Sequence, residues 1–140
     1  MPAYLRAILA ALAGMLAAFA LIVAVEAFGA VAHPVPDGFG GSMEEVCRHV
    51  EGYPRWVLAA VVPLWGLAAL AGTGIARRIG GVYASGAVGL LLLVGLVFNL
   101  SKLPYPAWFQ VANLLVVPAA IVAGSRSSGR RRPEGMAEVS

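Results

Sequence analysis

Apolar residues fall into four long runs, over residues 7–25, 57–76, 82–100 and about 107–123, and polar residues are concentrated between them. Each run approaches the roughly 17 to 25 residues that cross a bilayer as a helix. None shows the polar/apolar alternation of a barrel strand, and helices and closed barrels are the two ways a backbone satisfies its polar groups in lipid. The pattern therefore predicts an all-α membrane protein, a bundle of four transmembrane helices with spans of about 5–29, 56–76, 81–100 and 106–124. The linker between the first two runs, about residues 30–55, has two parts. "HPVPDGFGGS" is proline and glycine punctuation and reads as turns. "SMEEVCRHVEGYP" starts on Ser42 with Glu45 three residues later, a capping-box spacing that predicts a short helix over about 43–49. Met43, Val46 and Val50 share one side of it and suit a helix lying on the membrane or capping the bundle.

Composition strengthens this class. Of the 140 residues 60% are hydrophobic and 12% charged, with a mean hydropathy of +0.83, whereas soluble domains carry about a quarter charged residues. So short a chain has nothing left over for a soluble layer around four apolar helices, so residues 1–124 form one membrane domain. The charges also orient it. Arg6, Arg77, Arg78, Arg126, Arg130, Arg131 and Arg132 share one side if four spans alternate, while Asp37, Glu44, Glu45 and Glu51 lie on the other with Arg48, Arg55 and Lys102. The positive-inside rule then predicts a multi-pass protein of the cell (inner) membrane with both termini cytoplasmic. An alternative reading of the start is a secretory signal peptide cleaved after Ala30-Val31-Ala32, but the first apolar run exceeds the usual core of about 7 to 15 residues. Either way the 30–55 loop faces outward. The polar segment 125–140 reads as a disordered cytoplasmic tail whose arginines can rest on anionic headgroups. The net charge of +3 reflects that tail and the topology, and no nucleic-acid face is apparent.

Glu26 is the first charged residue after Arg6. Twenty helical residues rise about 30 Å, the hydrocarbon thickness, so Glu26 falls near the outer boundary. Its simplest reading is an interfacial residue that ends the span; the other is a working acid, since a carboxylate deep in lipid costs about 2.5 to 3.5 kcal/mol and marks function by default. His33, Asn99, Gln110 and Asn113 fall at comparable depth and complete a candidate polar vestibule, although a direct Glu26 to His33 bond requires a turn at Gly29. The amides read first as interhelical glue. Tyr53, Trp56, Tyr105 and Trp108 fit an outer aromatic belt, Tyr4 and Tyr83 an inner one, and Trp65 lies at mid-depth as an exception. Pro63 and Pro118 are expected to kink the second and fourth spans.

Small residues recur every four positions at Ala10, Gly14 and Ala18, at Ala68, Gly72 and Ala76, and at Gly81, Ser85 and Gly89. Such ridges let helices approach closely. They predict packing at Gly14, Gly72, Ser85 and Gly89, and a bundle tight toward the cytoplasm and splayed toward the outside. Glu44, Cys47, His49 and His33 match no zinc or haem spacing, so no metal or cofactor is expected. No nucleophile elbow, phosphate loop or metalloprotease motif occurs either. The leading functional expectation is a non-catalytic membrane protein acting through helix association as a subunit or scaffold, with the bilayer and a homo-oligomer or larger membrane complex as partners. The alternative is a proton, cation or small-solute transport component using Glu26, and an intramembrane enzyme is more distant.

Glu26, His33-Pro34-x-Pro36, Gly80-Gly81, Pro106-x-Trp108 and Pro118-Ala119-Ala120 together resemble a group of small bacterial four-span membrane proteins without assigned activity. The resemblance runs to about Gly124 and implies the four-helix fold, with no activity to carry over.

Overall fold

A computed structural model describes residues 1–127 and is helical nearly throughout, with α1 over Ala3–Ala32, α2 over Met43–Glu51, α3 over Arg55–Lys102 and α4 over Ala107–Arg126. Three of these, α1, α3 and α4, are long and apolar enough to cross a membrane. Most of the predicted tail lies outside the described residues, but its first two positions continue α4 to Arg126.

Local chemistry accounts for the helix ends. α1 runs six residues beyond Glu26 and closes with the His33 amide donating to the Gly29 carbonyl at 2.8 Å. Pro34 and Pro36 follow and cannot extend the helix. α2 begins on the predicted capping box. The Glu45 amide donates to Ser42 Oγ at 3.2 Å, and the Ser42 amide donates to Glu45 Oε2 at 3.0 Å. The Ser42 amide and hydroxyl, with the Gly40 amide, donate to the Glu45 carboxyl and hold it below its ordinary range. α2 extends two residues past the predicted end, to Glu51, and buries Val50 while Met43 is exposed, so its contact face is narrower than the spacing implied. Pro54 and Pro106 stand immediately before α3 and α4.

The second and third apolar runs are joined with no loop. They form the single element α3, broken at Gly81, whose φ of 84° and ψ of −162° are its only non-helical dihedrals. Pro63 and Pro118 lie inside continuous helix. A Cβ placed on Gly72 would be 3.6 Å from Val88 Cγ1, whereas sixteen residues of straight helix would separate those positions by about 24 Å. The arms 55–80 and 82–102 thus fold back against each other at one residue. That combination of φ and ψ is open to glycine almost alone, at a cost of about 1–3 kcal/mol for other residues. Nothing lies within 4 Å of a Cβ at Gly81, so Gly81→Ala should lower stability by that backbone cost alone. Unfolding titrations in mixed detergent micelles check this, with Gly86→Ala as the control, since Gly86 has a negative φ and equal space around it.

α1 packs on α3 and α4 packs on α3, but α1 and α4 do not pack on each other. At the Gly81 end the contacts are made by small residues. Gly14 meets Gly72 so closely that a Cβ on Gly14 would be 2.5 Å from the Gly72 carbonyl oxygen, and one on Gly72 would be 2.8 Å from Ala18 Cβ. Ser85 is buried with its hydroxyl on the Val82 carbonyl at 3.2 Å, and Gly89 faces Ile121 of α4. Gly14, Gly72 and Gly89 therefore meet other helical arms of this chain, while Ser85 is buried with its hydroxyl bonded within its own helix. Arg6 Nε donates to the Ile79 carbonyl at 2.6 Å, and a Cβ on Gly74 would be 3.3 Å from Ser127 Oγ. The start of α1, the Gly81 turn and the end of α4 thus share one end of the molecule. Larger residues fill the opposite end, with Val25, Val57, Leu58, Leu100 and Phe109 in one cluster bordered by Tyr53 and Tyr105. Leu12, Leu16, Phe19, Leu90, Val94, Phe98 and Leu115 are exposed along α1, α3 and α4, an apolar belt far larger than soluble monomers carry.

Candidate functional site

The small-residue packing gives way, toward the α2 end, to a cavity of about 300 Å³ among α1, both arms of α3 and α4. Most of its wall is apolar, from Met15, Ile22, Leu92, Leu96 and Val117, and its polar groups come from Glu26, Trp65 and Asn99. Helix spacing explains the α1 contribution, because Ile22 and Glu26 are four residues apart and share a face. Leu91, Leu92, Gly95, Leu96 and Asn99 repeat at three and four along the second arm for the same reason. Glu26, Leu91 and Gly95 are exposed while Ala69, Leu96 and Val117 are buried, so the cavity is closed at its back and open sideways along the apolar belt.

Two buried polar atoms on residues of this wall lack a hydrogen-bond partner, Trp65 Nε1 and Asn99 Oδ1. Buried polar groups are satisfied in the great majority of cases, and one left unpaired costs about 1–3 kcal/mol. Glu26 forms no ion pair among the described residues, where the Arg48–Glu44 contact at 3.0 Å is the only salt bridge. The Glu26 carboxylate thus borders a largely apolar space beside Trp65 and Asn99, whose unpartnered atoms are buried in the wall and have no partner among the described residues.

Glu26 and Trp65 also border a second, smaller cavity of about 20 Å³, completed by Gly29, Tyr53, Tyr105 and Phe109 among others. Its rings pack mutually, with Trp65 edge-on to Phe109 at 5.6 Å and Tyr105 to Phe109 at 4.7 Å between centroids. Burial, with the Glu26 charge added to it, raises the Tyr53 and Tyr105 phenols above their ordinary range, so both remain neutral O–H groups.

The predicted vestibule residues separate into three places. Glu26 and Asn99 share the large cavity. His33 lies beyond it, because α1 continues straight through Gly29 and carries the imidazole to α2. There the His33 and His49 rings stack at 4.3 Å and 19°, and His33 Nε2 lies 3.1 Å from the His49 carbonyl oxygen; a carbonyl only accepts, so Nε2 carries the proton. Gln110 and Asn113 line neither cavity beside Glu26. Gln110 Nε2 donates to the Tyr105 carbonyl at 2.8 Å at the start of α4, and Asn113 Nδ2 donates to the Phe109 carbonyl at 2.9 Å while its Oδ1 is buried without a partner. Trp65 belongs to the site although the sequence marks it only as a mid-depth aromatic. Its signal was an indole N–H, a donor that seeks a partner, in the middle of an apolar run.

The histidine pair borders a cleft of about 550 Å³ with Pro34, Asp37, Glu45 and Arg48. Burial, and then the charge of His33, lower the pKa of His49 from 6.5. A histidine whose folded pKa is depressed is destabilising once the unfolded chain takes up the proton first, so the contribution is intact above about pH 6.5 and declines as pH falls below it. The protection of the α2 amides, corrected for the pH dependence of intrinsic exchange, should therefore fall between pH 7 and pH 5, and His49→Phe should remove that fall. Equal pH profiles in the two proteins would count against it.

Among the described residues no three His, Cys, Asp or Glu side chains gather as a metal-ligand group. Cys47 is a free thiol, partly buried on α2. No family model matches the chain, and neither a curated protein nor a solved structure is detectably similar to it, so the geometry of the Glu26 cavity stands alone as the guide to function.

Proposed function

We propose that this is a four-span protein of the bacterial inner membrane that transfers protons and binds a small solute at Glu26, as a transporter or transport component. The four-span reading rests on the fold-back at Gly81, which makes α3 a helical hairpin with each arm over twenty residues long. Orientation follows from charge. Arg77 and Arg78 precede the turn, Arg6 bonds to the carbonyl beside it and Arg126 ends α4 at the same end, while Glu44, Glu45 and Glu51 lie on α2. With the arginine-rich end inside, both termini are cytoplasmic.

One observation carries the solute-binding reading: a carboxylate with no ion pair among the described residues borders a largely apolar cavity at membrane level, beside Trp65 and Asn99. Intramembrane carboxylates are costly and are retained where they bind ions, protons or ligands. The scaffold reading drew on the small-residue ridges. Gly14, Gly72 and Gly89 of those ridges already meet other helical arms of this chain, so they lend that reading less support. The carboxylate of Glu26 in a largely apolar cavity suits binding and transfer.

The test is proton flux into pyranine-loaded proteoliposomes under an imposed membrane potential. Flux above that of empty liposomes, abolished by Glu26→Gln with helix content retained, is the expected result; wild type at background, or an unaffected Gln variant, overturns the reading.

A further inference from the structure

The ligand's chemistry follows from what the cavity offers and lacks, given the solute-binding reading above. A proton neutralises Glu26, the transfer tested above, but leaves the apolar volume empty, so the cavity has room for a larger occupant. A hard metal cation needs about six oxygen ligands, and the side-chain oxygens on the wall belong to Glu26 and Asn99 alone. An anion would face the carboxylate. A neutral lipophile would fill the space and leave Glu26 unpaired.

We infer that the Glu26 cavity binds a lipophilic primary amine in its protonated form, entering sideways from the bilayer. The ammonium supplies N–H donors to the Glu26 carboxylate, and a charge-assisted bond of this kind is the stronger sort. The head then sits where the two cavities meet, since Glu26 and Trp65 border both. The smaller one, at about 20 Å³, has room for one water-sized group. Its rings from Tyr53, Trp65, Tyr105 and Phe109 supply faces that attract a cation. The apolar substituent occupies the larger cavity against Ile22, Leu92 and Val117. At about 300 Å³ this space is at the small end of ligand pockets. The preferred ligand is accordingly a short-chain lipophilic amine.

The probes are 2-aminooctan-1-ol, octylamine, octanol and octanoate, titrated at pH 7 against the whole protein in phosphatidylcholine nanodiscs and followed by tryptophan fluorescence. Empty nanodiscs give the partitioning baseline. Saturable binding of both amines is expected, with octanol and octanoate at the baseline. Glu26→Gln should weaken both amines at least tenfold. Octanol saturating as tightly as octylamine, or amines unaffected by Glu26→Gln, overturns the inference. So does loss of amine binding in phosphatidylethanolamine nanodiscs, which assigns the site to a lipid headgroup. Glu26-dependent proton flux without amine binding defeats this ligand and leaves the transport reading standing, whereas failure of both defeats the two together.

Discussion

Gly14→Val is expected to unfold the α1–α3 interface, lowering stability by about 3 kcal/mol, the upper part of the range for forced overpacking. The new Cβ would meet the Gly72 carbonyl oxygen at 2.5 Å and Ala76 Cβ at 2.9 Å. Neither is the loose end of a flexible side chain. Relief requires α1 to move away from α3, and with it go the contacts among Ala10, Ala76, Ala84 and Val88, which form the buried cluster at that end. In lipid there is no hydrophobic drive to restore them, because acyl chains solvate the freed faces as well as the helices do. Gly86→Val is the matched control, an exposed helical position with nothing within 4 Å of its Cβ. Unfolding in mixed micelles, followed by helical circular dichroism, should separate the two variants clearly. Similar curves would mean that the interface yields without cost.

Replacing Glu26 should have effects of opposite sign on stability and on activity. Glu26→Gln keeps the shape and removes the charge. A charged side chain at the bilayer centre costs about 2.5 to 3.5 kcal/mol, and Glu26, about 9 Å below the end of α1 at about 1.5 Å per residue, bears part of that. The Gln variant should therefore unfold at a higher denaturant concentration while its flux falls to background. Glu26→Asp keeps the charge and withdraws it by one methylene from Trp65 and Asn99, so flux should fall severalfold without vanishing, since a displacement of about 1 Å is enough to disturb a positioned group. A residue that merely ended the span would show the stability gain in Gln with flux unchanged, which is how the measurement discriminates.

The bilayer made the spans readable from sequence. It fixes the length of an apolar run and forbids any backbone but a self-satisfied one, so the limits of α1, α3 and α4 followed from composition with errors of a few residues. The α2 capping box was legible because Ser42 and Glu45 satisfy one another locally, whatever the rest of the chain does. Side-chain destinations were less legible. His33 follows Glu26 by seven residues and shares its face on a continuous helix, yet it contacts α2, because the helix passes straight through Gly29 and places the imidazole one level above the carboxylate. Gln110 and Asn113 looked equivalent to Asn99, but both donate to carbonyls of their own segment, a local solution that hydropathy does not reveal. Trp65 and Glu26 are 39 residues apart, as their numbers show, and meet only because the Gly81 fold-back sets the register of the arms.

That fold-back limits how the molecule can move. A hairpin closed by a single residue permits almost no axial sliding of one arm past the other, so α3 behaves as a stator. α1 and α4 each lean on it from separate sides without touching. Any widening of the pocket must then come from α1 tilting about its tightly seated Gly14 contact, with the ten-residue stretch between Ala32 and Met43 as the slack in its tether. Crosslinking α1 to the second arm above that pivot would lock the opening, while the same bond below it would leave the stroke free.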